Sequence, residues 1–99
     1  MAVLAAGLGA SSAGAAGGVV TLREISFSPK RLTVANGATV TFRWRDGGTR
    51  HDVTSVGSRR FARISSRTSG DRRVRFARSG TYRYVCTLHP GMAGSIVVR

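Results

Sequence analysis

From Val19 onward the chain alternates apolar and polar positions with a period of two, in short runs separated by turn residues. Val19-Thr21-Arg23-Ile25 and Val20-Leu22-Glu24 alternate in a first strand of mixed faces, which Ser28-Pro29-Lys30 ends. Leu32 and Val34 alternate with Arg31 and Thr33, Asn36-Gly37 offers a hairpin turn, and Val40, Phe42 and Trp44 alternate with Thr41, Arg43 and Arg45. The loop Asp46-Gly47-Gly48-Thr49 delivers His51, which shares a face with Val53 in the next short strand. Val74 and Phe76 alternate with Arg73 and Arg75, Ser79-Gly80 turns the chain, and Tyr82, Tyr84 and Cys86 lie on one face. Gly94-Ser95-Ile96-Val97 begins a last Val-rich strand, expected with the first in the core pairing region.

No stretch sustains a helical period, and the turn spacing predicts about seven or eight strands of an all-β fold. Parallel crossovers would need intervening helices, which the pattern lacks. The expected architecture is therefore a two-sheet Greek-key β-sandwich over residues 19–99. Residues 55–71, rich in Ser, Arg and Gly, resist assignment, with only Phe61 and Ile64 able to anchor them.

Residues 1–18 are Ala, Gly and Ser with a few larger apolar side chains and no charge. Ala13-Gly14-Ala15 after an apolar run fits the cleavage region of a secretory signal, although the basic leading segment is missing. This stretch reads as a signal-peptide remnant or a flexible arm, too short and too weakly apolar to span a bilayer. Ninety-nine residues make one domain, small enough to profit from a metal as a staple. A single cysteine, Cys86, excludes an internal disulfide.

The net charge of +12 comes from fifteen Arg and one Lys against four acids, all beyond residue 18. Such a balance suits an acidic partner or a polyanion. Several arginines, however, merely alternate with core positions along strands, and coding composition alone can produce an Arg skew.

Cys86, His89 and Met92 are spaced three apart in a loop between two strands. Thiolate, imidazole and thioether together favour copper, since soft sulfur donors select it. His51 is the only other histidine, and two His, one Cys and a weak axial Met form the donor set of blue-copper electron-transfer sites. Ordinary readings exist for each residue: Cys86 as a small buried hydrophobe or half of a nucleophile–base pair with His89, His51 as a surface-loop histidine, Met92 as core filler. None of them accounts for the whole set in register. Zinc is a weaker rival, because thioether is not among its usual donors. Pro90, Gly91 and Gly94 are read as permitting sharp bends near the ion.

Residues 80–98, Gly-Thr-Tyr-x-Tyr-x-Cys-x-x-His-x-x-Met-x-Gly-x-Ile-x-Val, resemble the C-terminal ligand loop of small cupredoxins of the plastocyanin, amicyanin and pseudoazurin group. Phe27-Ser28-Pro29, Asn36-Gly37, Val40 to Trp44 and His51-Asp52-Val53 extend the likeness over roughly residues 19–99. The resemblance implies a cupredoxin-like sandwich holding one copper ion through His51, Cys86, His89 and Met92 and shuttling one electron. It also implies that His89 lies nearest solvent, in an apolar patch with Leu88, Pro90 and Met92. Asp46 and Asp52 stand where many relatives carry Asn, which bears on how the ligand loops are pinned.

The function expected is a non-enzymatic, exported, monomeric electron carrier, periplasmic or extracellular or associated with the cell envelope. It docks on redox proteins, for which the charge suits acidic ones, with no specific nucleic acid and with membrane contact only if residues 1–18 are retained. Alternatives are a copper storage or delivery module, and a basic polyanion-binding protein. The last is disfavoured because the aromatics are in phase with the core, where they cannot stack on bases.

Overall fold

Period-two alternation places one face of each strand in a shared core, and the computed structural model, described over residues 17–99, shows nine strands in two sheets. They are β1 (Val19–Arg23), β2 (Ser26–Ser28), β3 (Arg31–Val34), β4 (Thr39–Trp44), β5 (His51–Val56), β6 (Ile64–Arg67), β7 (Gly70–Arg75), β8 (Gly80–Val85) and β9 (Ala93–Val98). The four-stranded sheet runs β2-β1-β4-β7 and the five-stranded sheet β3-β9-β8-β5-β6. Val20, Leu22, Phe27, Val40, Phe42 and Trp44 from the first meet Val53, Tyr82, Tyr84, Ile96 and Val98 from the second. The β-sandwich expected from the alternation is the fold observed.

Two expectations are corrected by the topology. Asn36-Gly37 is not a hairpin turn, because β3 and β4 belong to different sheets. The chain crosses the core edge there, with Asn36 N–H donating to Arg99 O and Gly37 N–H to Phe76 O, and Gly37 adopts φ 91°, a region open to glycine. Parallel pairing also occurs without helices: β1 lies parallel to β4, and β3 parallel to β9. In each case the intervening chain passes through the opposite sheet, by β3 between β1 and β4 and by β4 and β7 between β3 and β9, so no crossover helix is needed.

The first strand stops earlier than Pro29. Glu24 and Ile25 both take positive φ, 51° and 52°, and β2 then pairs antiparallel with β1. Ile25, which breaks the apolar parity of Val20 and Leu22, is left 52% exposed. The uncertain stretch resolves into the loop carrying Phe61, then β6 and β7. Phe61 sits among Phe42, Phe76, Tyr82 and Tyr84 with ring centroids 5.4 to 6.5 Å away, and Ile64 is buried. β7 is an edge strand whose arginines are all exposed and whose Val74 is only half-buried. The expectation for residues 1–16 lies outside the described residues, while Gly18 O already accepts a hydrogen bond from Thr41 N–H.

Tyr82 donates its hydroxyl to Arg78 O at 2.8 Å, tying the turn before β8 to the strand. That anchors the strand whose far end carries Cys86.

Candidate metal centre

The alternation that buries Tyr82 and Tyr84 carries Cys86 inward just past the end of β8, where it is 3% exposed. The loop that follows folds by two successive turns: His89 N–H donates to Cys86 O at 3.5 Å and Met92 N–H to His89 O at 3.1 Å. Each turn closes over three residues, so a spacing of three returns each candidate donor to the same side. Cys86 N–H then donates to Met92 O at 3.0 Å and shuts the loop into the start of β9. Gly91 makes the bend, at φ 88°.

Gly94 has a different job from the one expected of it. It lies inside β9, and a Cβ there would come within 2.8 to 2.9 Å of the Tyr84 ring. Its bare backbone lets the aromatic close against the strand.

His51 opens β5 and is fully buried. Its Nδ1 lies 3.8 Å from Cys86 Sγ, and the candidate donor atoms of His51, Cys86 and His89 all lie within 4.8 Å of one another. Trp44 Nε1–H donates to His51 O at 2.8 Å, fixing the backbone that carries the imidazole. The two imidazole rings stand 4.9 Å apart. His89 is half-buried, and so is the more accessible of the two.

Both rings have their outer nitrogens engaged. His51 Nε2 donates to Asp46 Oδ2 at 2.6 Å, and His89 Nε2 donates to Arg50 O at 3.1 Å. A carbonyl or an ionised carboxylate can only accept, so Nε2 is the N–H side of each ring, and in the neutral tautomer Nδ1 is the nitrogen with the lone pair. Metal-ligating histidines are commonly oriented in this way. Asp46 is held below the usual carboxylate range by the His51 hydrogen bond first, with the Ile25 and Glu24 N–H groups adding to it.

Asp52, next to His51 and fully buried, clamps the two ligand segments together. Its Oδ1 accepts from Thr87 N–H at 2.7 Å, and its Oδ2 accepts from the Thr87 and Thr54 hydroxyls at 2.8 and 2.7 Å and from Arg63 at 3.0 Å. Burial pushes this carboxyl up, but the hydrogen bonds from Thr54, Thr87 and Cys86 outweigh burial and hold it far below the usual range. Read in the sequence as departures from Asn, both aspartates thus make definite contacts beside the donors.

Burial pushes the Cys86 thiol up, against the opposing pull of N–H groups from Asp52 and Leu88, and the Asp52 carboxylate adds to the rise. A metal-free Cys86 is therefore a protonated thiol at neutral pH. Met92 is 3% exposed within the core cluster. It does not join the apolar surface expected of it; Leu88, 49% exposed, and Pro90 do. Ile25 was not foreseen near this end of the sandwich, yet its N–H and His51 Nε2 bind the same Asp46 oxygen, at 3.1 and 2.6 Å. The signal was its broken parity.

The family described as a cupredoxin-like domain matches residues 1–98. The chain belongs to the cupredoxin-like domain family. This cupredoxin is similar to solved amicyanin structures: a point variant in its reduced Cu(I) form at pH 4 is 29% identical, with 84% of this chain and 82% of that one covered and a TM-score of 0.75. A copper-containing nitrite reductase from Thermus scotoductus is 28% identical over 84% of this chain but only 22% of its own, at a TM-score of 0.70. A purple cupredoxin from Nitrosopumilus maritimus, 21% identical, covers 83% of this chain and 99% of its own at a TM-score of 0.69, a likeness of fold. No curated protein matches the sequence. The cupredoxin's donor set, one sulfur flanked by two oriented imidazoles with a buried thioether at the loop's end, fits copper better than a hard cation or zinc.

Proposed function

We propose that the protein is a mononuclear type 1 copper protein that carries single electrons between redox partners. The observation that carries this reading is that His51 Nδ1 lies 3.8 Å from Cys86 Sγ, with a His89 ring nitrogen within 4.8 Å of both donor positions, while the two Nε2 atoms are held by Asp46 and Arg50 O. His51, Cys86 and His89 would hold the ion, with the Met92 thioether as a weaker donor that tunes it. Copper would supply the one-electron couple.

The chain's own residues keep the site still. Asp52 ties β5 to Thr87, Trp44 holds the His51 backbone, and the Cys86–Met92 hydrogen bond closes the loop. A site that does not rearrange between oxidation states transfers electrons with little reorganisation. Four protein donors leave no open position of the kind a catalytic metal keeps, which supports a carrier over an enzyme.

His89, half-buried and flanked by exposed Leu88 and Pro90, is the route by which an electron leaves. The partners are redox proteins, and the excess of arginine favours acidic ones. The site is assigned outside the cytoplasm, in keeping with the export reading of residues 1–18.

Voltammetry of the copper-loaded protein, with self-exchange measured by NMR line broadening, tests the role. A reversible one-electron wave and fast self-exchange are expected. Tight copper uptake with irreversible or slow electron transfer would favour storage or delivery.

A further inference from the structure

Among the arginine and lysine side chains only Arg43, Arg45 and Arg63 reach a carboxylate within the chain, and every charged residue lies in the described region. The other thirteen basic side chains have no carboxylate partner among the described residues. In the four-stranded sheet the strand registers set Thr21 beside Arg43 and Arg43 beside Asp71, Thr41 beside Arg73, and Thr39 beside Arg75. With Arg23 and Arg45 one step further on, the outward side carries five arginines against the single Asp71, interleaved with Thr21, Thr39, Thr41, Ser26 and Ser28. A groove of about 380 Å³ lined by Thr41, Arg43, Asp71, Arg72 and Arg73 opens on this side.

The five-stranded sheet offers a contrast. Its outward side sets Arg31 and Arg83 on either side of Ser95, and the positions around them are Thr33, Thr54, Val56, Thr81, Val85, Ala93 and Val97. Of the two sheet faces, the first thus carries more arginines, five against two; the other nine basic residues, among them Arg50, Arg59, Arg60 and Arg78, lie outside both sets.

We propose that the outer face of β2-β1-β4-β7 lays the protein flat on an anionic lipid surface. Guanidinium groups pair with headgroup phosphates, the threonine and serine hydroxyls donate between them, and the groove accepts one headgroup. A stable protein interface needs a large apolar or aromatic anchor at its centre. The large exposed hydrophobics among the described residues are Val19, Ile25 and Leu88, and only Val19, at the start of β1, lies on this face. Single-stranded nucleic acid needs exposed aromatics, and none of the aromatic residues lies there. A continuous anionic plane requires neither.

The orientation has a consequence for the candidate metal centre. The Cys86 to Met92 loop joins β8 and β9, strands of the opposite sheet, about 10 Å further from the lipid. Docked this way, the strands run along the bilayer and His89 faces sideways, open to a partner on the same surface.

The test is cosedimentation of the full chain with phosphatidylcholine vesicles with and without phosphatidylglycerol, at low and high salt. Two matched variants separate face from total charge: Arg73→Gln with Arg75→Gln on the proposed face, and Arg31→Gln with Arg83→Gln on the opposite one. None of these four makes an ion pair among the described residues, and thermal unfolding checks that both variants fold. The expected result is salt-sensitive binding to anionic vesicles only, weakened on the order of thirtyfold by the first pair and far less by the second. Equal losses from both pairs, no binding at low salt, or dependence on this face for DNA but not for vesicles would overturn the proposal.

Discussion

Asp46 Oδ2 accepts a 2.6 Å hydrogen bond from His51 Nε2 and a 3.1 Å one from Ile25 N–H, while Oδ1 takes Glu24 N–H at 2.9 Å. One carboxylate thus orients a buried imidazole and holds a turn whose two residues, neither of them glycine, sit at positive φ. Such conformations cost about 1–3 kcal/mol each and persist when the surroundings enforce them. Asp46 is what enforces them here.

Replacing Asp46 should therefore act at two places. In Asp46→Asn the loss of negative charge near the ion should raise the reduction potential, on the order of tens of millivolts once screening is counted. In Asp46→Ala the Glu24–Ile25 amides lose their acceptor, and their hydrogen exchange should accelerate while that of β8 stays slow. Unchanged potential in the first variant and unchanged exchange in the second would show the carboxylate to be idle.

Asp52 makes the metal-free protein acid-sensitive in a predictable direction. Its folded pKa is depressed, so its contribution to stability is complete above the unfolded carboxylate value of about 4 and is lost as pH falls below it. Asp46 shifts the same way. The thermal midpoint of the apo-protein should hold between neutral pH and about pH 5, then fall. Asp52→Asn should be less stable at neutral pH and show a shallower acid decline, measured by circular dichroism.

The two core tyrosines should respond oppositely to loss of their hydroxyls. Tyr84 Oη is buried without a hydrogen-bond partner among the described residues, and burial pushes its pKa up. Tyr84→Phe should leave stability unchanged or raise it. Tyr82 Oη bonds Arg78 O, so Tyr82→Phe should cost about 1 kcal/mol in urea unfolding.

Copper loading must displace the Cys86 proton, because burial pushes that thiol's pKa up. Apparent Cu(I) affinity should fall about tenfold for each pH unit below neutrality, one proton released per ion. Competition with a Cu(I) chelator across pH 6 to 8 measures that slope, and a flat profile would mean the thiol is already ionised.

Much of this was legible in the sequence because burial and period two report the same thing: Trp44, Tyr82, Tyr84 and Cys86 point inward as their spacing required. The gathering of His51, Cys86 and His89 was legible because the chain has so few His and Cys residues to choose from. Sheet assignment was not, since Asn36-Gly37 turns the chain equally well between paired strands and between layers. Nor were the roles of Asp46 and Asp52, which depend on Ile25, Thr87 and Arg63 arriving from distant parts of the chain. Gly94 looked like a bend because its real constraint, the Tyr84 ring, lies on another strand.

The central claim is that His51, Cys86, His89 and Met92 gather around one copper ion. Cupric ion added to the purified, reduced apo-protein should give one equivalent of binding and an intense visible band from thiolate-to-copper charge transfer, absent in Cys86→Ser. A colourless protein with Cys86 shown to be a free thiol would contradict the account.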